Sequence, residues 1–315
     1  MKFGRIIVIC LLMLLLTGSH FVASAETFTI GINNFGMANF FARIGQAAMI
    51  EEIESLGGRA LPTVTADVAE RMAAIENYIA QGVDAIIIQE GDISQVEPAL
   101  RDAKREGIFI ASMGAGISEY ADVVVESNEW VMGAMAATEL VNRIDGQGNI
   151  ILIYNDLGQM IRIRRKALET VLTEYPHADI SDRFTYAWPD FFPDIRNKME
   201  AVLQANPNPG DIAAVFATFD GAGVAAAAAI REAGLEDHIV IVGIDGDPQA
   251  YEEMRRPNSP FKATVAQDPD TMARTAVNMV FRILNGEQLP RRHFYIPAHL
   301  VTIEELPEEG DPIFD

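Results

Sequence analysis

Short runs of β-branched and other apolar residues alternate with stretches of helical period along almost the whole chain, and this alternation most limits its fold. The runs fall at 28–32, 85–88, 108–111, 123–125, 150–154, 213–217, 239–243 and 263–266, with helix-period segments such as 40–56, 68–80, 96–106 and 131–144 between them. A strand that is apolar at every position must be covered on both faces. Parallel sheets flanked by helices meet that demand. The predicted class is α/β with doubly wound parallel sheets.

The pattern occurs twice. FTIGINNFGMANFFARIGQAAMIEEIESLGG reads strand, loop, helix, and so does NIILIYNDLGQMIRIRRKALETVLTEYPHA. VDAIIIQEGD has a counterpart in IAAVFATFDG, and EGIFIASMGAG in DHIVIVGIDGD. A chain of 315 residues is long enough for two cores. No Pro- or Ser-rich linker divides the halves, so short crossings are expected instead of a tether. The expected division is 26–127 with 268–297 in an N-terminal lobe, and 128–267 with 298–315 in a C-terminal lobe.

Residues 1–25 stand apart from this pattern. Lys2 and Arg5 precede an apolar run at 6–16, and the segment ends Ala23-Ser24-Ala25 before Glu26. A basic start, a short apolar run and an A-x-A end predict a secretory signal peptide cleaved after Ala25. The run is too short for the ~20 residues of a membrane span. Cys10, the only cysteine, lies inside it without the small residues that precede a lipoprotein cysteine. The exported protein is therefore expected to lack both disulfides and a lipid anchor, and to be held by its core alone.

Charge excludes one class of partner. Asp and Glu number 45 against 24 Lys and Arg, a net charge of −21, and removing 1–25 takes away two bases and no acid. Nucleic-acid binding needs a basic surface and is not expected here. Catalytic signatures are also missing. His177, His238, His293 and His299 are scattered, and no G-x-S-x-G, H-E-x-x-H or Walker sequence occurs. No enzyme activity, cofactor or metal is expected. One look-alike is Gly221-Ala222-Gly223-Val224-Ala225-Ala226, which fits G-x-G-x-x-A after a strand, with Asp245 ending the next. Residues 218–220 intervene between strand and glycines, so a plain helix start with Asp220 as its N-cap competes with dinucleotide binding.

Ligands of open α/β sheets bind at the carboxyl ends of the strands, so those loops hold the candidate site. They carry Asn33, Asn34, Phe35, Asn39, Phe40 and Phe41 after the first strand, and Asn155, Asp156, Arg162 and Arg164 after the first strand of the second half. Trp188, Phe219, Asp220, Asp245, Gln267 and Asp268 follow later strands. Aromatic faces beside amides, a guanidinium and carboxylates suit a polar ligand with apolar ring faces. Phe40 and Phe41 also read as first-turn core residues, and Arg162 as an exposed helix residue.

At these residues the chain resembles the periplasmic sugar-binding proteins of the ribose-binding type, which serve ABC transporters. The likeness runs from residue 26 to about 303 and is carried by Asn39-Phe40-Phe41, Arg162-Ile163-Arg164, Val215-Phe216-Ala217 with Asp220, Val242-Gly243-Ile244-Asp245-Gly246 and Ala263-Thr264-Val265-Ala266-Gln267. The resemblance implies two lobes joined by a three-stranded hinge, with ligand clamped between them. It assigns ligand contacts to Asn34, to the aromatic pair Phe40 and Phe41, to Arg164, Asp245 and Gln267, and to Trp188 in the second lobe. Phe35, Met113 and Phe219 complete the expected pocket.

Departures from the ribose pattern matter as much. Ala38 and Phe219 replace asparagines, and Met113-Gly114 replaces an Asp-Arg pair. Each buried hydroxyl left without a partner costs ~1–3 kcal/mol, which argues against ribose. The expected ligand is a less hydroxylated or larger sugar, polyol or modified sugar, and with Arg162 and Arg164 in the pocket a mildly anionic one is allowed. The expected protein is a periplasmic monomer that delivers its ligand to a membrane permease. A ligand-sensing subunit for a chemoreceptor or kinase is the alternative of equal fold, and a nucleotide-dependent enzyme the lesser one.

Overall fold

The computed structural model describes residues 27–306 and Glu308, so the expected signal peptide and Cys10 lie outside the described residues. The first sheet contains β1 (Thr29–Phe35), β2 (Arg59–Thr65), β3 (Ala85–Gln89), β4 (Phe109–Met113), β5 (Val123–Glu126) and, from far along the chain, β11 (His293–Tyr295). Its order is β11-β5-β4-β3-β1-β2, and all neighbours run parallel. The second sheet contains β6 (Gln147–Tyr154), β7 (His177–Thr185), β8 (Ala214–Ala217), β9 (Val240–Asp245), β10 (Phe261–Ala266) and β12 (His299–Thr302). Its order is β12-β10-β9-β8-β6-β7, with only β12 antiparallel.

The eight runs read from the sequence are the eight inner strands of these sheets. β2, β11 and β12 carry no such run, and β7 is matched only at its end by the strand-like stretch 184–187 before Trp188; all four lie at sheet edges. Inner strands are buried on both faces and are apolar through their middles, with polar residues toward their ends: β3 is AIIIQ and buried at every position. The edges are mixed. β2 contains Pro62 and is partly exposed along most of its length, and β7 reads HADISDRFT with most positions open.

Helices cover both faces. In the first lobe α1 (Phe40–Ser55), α2 (Val68–Gln81), α3 (Glu97–Arg105) and α9 (Pro269–Leu284) pack on the sheet, α9 lying against α1, β4 and β5. In the second, α4 (Glu129–Arg143), α5 (Gln159–Leu172), α6 (Phe191–Ala205), α7 (Asp220–Glu232) and α8 (Pro248–Met254) do so, α4 lying against β9 and β10. The caps follow the sequence. Asn39 Oδ1 accepts the Ala42 amide at 2.7 Å at the start of α1, and Asp67 and Asn128 do the same for α2 and α4.

The chain passes between the sheets three times: after β5, after β10 and between β11 and β12. Both lobes therefore present their strand carboxyl ends to one shared crevice. Among the described residues no helix is long and apolar enough to cross a membrane, and no group of three or more His, Cys, Asp or Glu could hold a metal.

Candidate functional site

A cavity of about 570 Å³, counting its open mouth, lies in that crevice. Residues of the first lobe, the second lobe and the crossing after β10 all line it. Its floor is Arg164, one turn into α5 and 1% exposed. Arg164 Nε donates to Glu129 Oε2 at 2.7 Å, and Nη1 donates to Asp245 Oδ1 and to the Thr218 carbonyl, both at 2.9 Å. Burial pulls against the guanidinium's charge, but Glu129 and Asp245 outweigh it and hold Arg164 above its ordinary pKa. Gly133 makes this pairing possible: a Cβ there would lie 2.7 Å from that of Ala167 and 3.0 Å from Arg164 Cα, so α4 can bring Glu129 against α5.

Asp245 ends β9 with φ 142°. Besides Arg164 it receives the Gln267 side-chain amide at 2.8 Å, and burial raises its carboxyl to about 6 against the pull of Arg164. Across the crevice, Glu90 follows β3 with φ 57°. Its Oε1 accepts the Asn39 side-chain amide at 2.8 Å. Its own carbonyl and that of Gln89 each accept a terminal nitrogen of Arg71 at 2.7 Å, and that guanidinium lies 4.9 Å over the Phe35 ring. Burial pushes the Glu90 carboxyl up to about 7, opposed by the Asn39 hydrogen bond.

Among the described residues, three buried polar atoms of the cavity wall have no hydrogen-bond partner: Arg164 Nη2, Gln267 Oε1 and Glu90 Oε2. Aromatic rings surround them. Trp188 stacks on Phe191 at 5.7 Å, and Phe219 meets Phe191 edge-on at 4.9 Å and Tyr186 at 5.1 Å. Phe35 and Phe41 face these rings from the first lobe.

Of the expected residues, Phe35, Phe41, Arg164, Trp188, Phe219, Asp245 and Gln267 line the cavity, and Asn34, Phe40 and Met113 do not. Asn34 is turned toward α1, where its amide donates to the Ala42 carbonyl and to Met37 Sδ, both at 3.1 Å. Met113 is fully buried and packs where a side chain on Gly45 would stand. Phe40 opens α1, and a helix turns its next residue by about 100°, so Phe41 alone of the pair reaches the wall. Asp220 is also withdrawn. Its carboxylate accepts the Thr264 hydroxyl at 2.7 Å and the Gly246 and Asp247 amides at 2.8 Å, pinning the loop after β9.

The dinucleotide look-alike has a packing explanation. A Cβ on Gly223 would lie 2.3 Å from the Phe261 ring, and one on Gly221 2.7 Å from Phe219. These glycines admit aromatic rings, and α7 begins at Asp220 as a plain helix. Phe219 and not Asp220 takes the N-cap position, the Asp220 carboxylate being engaged by Thr264, Gly246 and Asp247. The allowance for an anionic ligand also loses its basis. Arg162 is paired across the crevice with Asp92, and Arg164 is held by two carboxylates. Sequence reading passed over Glu90, Glu129 and Tyr186. The repeat does point to Glu90, since pairing VDAIIIQEGD with IAAVFATFDG sets it opposite Phe219.

The lobes touch around the cavity. Besides Arg162 and Asp92, a Cβ on Gly158 at the start of α5 would lie 3.1 Å from the Gly91 carbonyl. The structure is thus a closed arrangement of the two lobes.

Residues 30–288 match the model of the periplasmic binding protein domain. A xylitol-binding protein of Mycolicibacterium smegmatis is 26% identical over 307 residues, covering 93% of this chain and 84% of its own. An ABC sugar transporter subunit from Rhodobacter sphaeroides shares 30% identity and a TM-score of 0.83, covering 88% of this chain and 98% of its own. An ABC transporter solute-binding protein from Agrobacterium vitis, solved with bound allitol, shares 28% identity and a TM-score of 0.83, covering 90% and 98% of the two chains.

Proposed function

The chain belongs to the periplasmic binding protein domain family, and from that premise we propose that it captures a sugar, polyol or modified sugar between its lobes for an ABC importer. The observation that carries this reading is the set of unpartnered buried atoms among aromatic rings: Arg164 Nη2, Gln267 Oε1 and Glu90 Oε2. Buried polar groups without partners are costly, and a hydroxylated ligand relieves that cost by giving and taking hydrogen bonds at once. Phe41 and Trp188 then lie against its C–H faces.

Ligand that bridges Glu90 on one lobe and Arg164 on the other favours the closed form, because only that form offers both sets of partners. The closed protein docks on a permease as a monomer and releases its ligand there, without chemical change to it. It works in the periplasm after a leader ending at Ala25 is removed. The lobes part at 127/128 and 267/268, with the last crossing after 297.

A thermal-shift screen over monosaccharides, alditols, cyclic polyols, modified sugars and nucleosides tests the reading. A ligand at 100 times its Kd stabilises by about 2.7 kcal/mol. Asp245→Ala, which frees both Arg164 and Gln267, is expected to remove that response. Melting unchanged by every class refutes the proposal.

A further inference from the structure

The charges around the cavity do not balance, and the excess gathers on one atom. Arg164 already faces two carboxylates, Glu129 and Asp245. Arg162 at the rim is matched by Asp92. Arg71 lies behind Phe35 and gives both terminal nitrogens to backbone carbonyls. With Arg162 and Asp92 cancelling, Glu90, Glu129 and Asp245 outnumber Arg164 and Arg71. Glu90 carries the unmatched charge. It is 6% exposed, its Oε1 is held by the neutral amide of Asn39, and its Oε2 has no partner.

A carboxylate buried this far either takes up a proton or meets a cation. Among the described residues no ammonium or guanidinium reaches Oε2, so a cationic group on whatever fills the cavity would hold this carboxylate ionised in place of a proton. We propose that the ligand bears a protonated amine that pairs with Glu90 Oε2, making it an aminated sugar or aminated polyol. This rests on the solute-binding reading above and narrows its ligand class. The rest of the site suits the remaining hydroxyls. Arg164 Nη2 donates to one oxygen, Gln267 Oε1 accepts from another, and both stand on the wall opposite Glu90. A carboxylate on the ligand would face the same excess of negative charge and be rejected. The raised pKa of Glu90 agrees, since an ammonium beside it supplies the attraction that burial lacks.

Matched ligands test this without any variant. An inositol, an aldopentose and an alditol are each presented as the neutral parent, as monoamino-deoxy derivatives and as the corresponding sugar acid, with binding read by calorimetry at about pH 7, where amines flanked by hydroxyls are still mostly protonated. At least one amino-deoxy compound is expected to bind at least about tenfold more tightly than its parent, and the acids not at all. Glu90→Gln keeps the Asn39 contact but removes the charge, so it is expected to bring the affinities of each amino-deoxy compound and its neutral parent within about threefold of one another. Amino-deoxy compounds binding no better than their parents overturn the proposal, and so does a preference that survives E90Q. Neutral parents that bind without such a preference sink the amine alone and leave solute capture standing. Failure of every compound in all series overturns both.

Discussion

Glu90 and Asp245 face each other across the crevice, and both sit on backbone that L-residues avoid, with φ of 57° and 142°. Such positions cost of order 1–3 kcal/mol each and persist where surrounding contacts impose them. Arg71 supplies those contacts for Glu90, and Arg164 with Gln267 for Asp245. Glu90 also makes stability depend on pH. Its carboxyl is raised from 4.5 to about 7 by burial, so the fold holds a proton that the unfolded chain releases earlier. Stability is therefore lost as pH rises from about 4.5 to about 7, and the loss is complete above that. Glu126, also raised to about 7 by burial and then by Glu129, acts in the same sense. Glu90→Gln removes its share, so unliganded E90Q is expected to gain on the wild type by up to about 3 kcal/mol more at pH 8 than at pH 4. Urea unfolding at the two pH values measures this, and a gap that stays constant contradicts it. The carboxylate was hard to find in the sequence for a plain reason. QEG after an apolar strand looks like a turn, and only folding reveals that Asn39 and Arg71 turn it inward.

At the level of elements, legibility followed burial. Inner strands were readable because both faces are covered and their central positions are apolar. The four edges were not, because one side of each meets solvent or a crossing. The pocket divided in a related way. Residues at the ends of inner strands, such as Phe35, Phe219 and Asp245, could be placed from strand position alone. Phe40 could not, since the turn into α1 decides which side chain faces the crevice. Asn34, next to Phe35 in β1, turns to the opposite side, where it meets the Ala42 carbonyl. Contacts between helices left no local trace at all. Gly133 looks like any helical glycine until α5 is seen to lie on it. Gly133→Val is expected to force α4 and α5 apart, costing about 1–3 kcal/mol and loosening Glu129 from Arg164. Melting temperature and ligand affinity are both expected to fall. A variant that loses neither shows that the helices can shift without disturbing the floor.

Across the whole molecule, closure is held by contacts that the ligand does not make. Arg162 reaches over the crevice to Asp92, which is 6% exposed, while Arg162 itself remains partly open to solvent. A half-buried pair of this kind contributes of order 1 kcal/mol to the closed form. Arg162→Ala is expected to shift the unliganded protein toward the open form and to weaken ligand binding by about fivefold. Small-angle scattering should show a larger radius of gyration without ligand and the wild-type value with it. An unchanged radius in the absence of ligand would mean that the pair does not help to set the equilibrium.

The return of α9 and β11 to the first sheet governs how the chain can be made. One face of that sheet is completed by Met272, Ala273, Ala276, Val277, Val280 and Phe281, all synthesised after the second sheet's inner strands. As the polypeptide emerges, the first half waits with the part of that face beside α1, over β4 and β5, uncovered until nearly the whole chain has appeared. Newly made chain thus resists early collapse into a finished lobe, a property that suits passage through a membrane pore, and it depends on prompt completion or on a chaperone afterwards. A fragment ending at 267 is expected to be recovered as aggregate, whereas the chain carried through 306 is soluble; sedimentation of the two after refolding measures the difference.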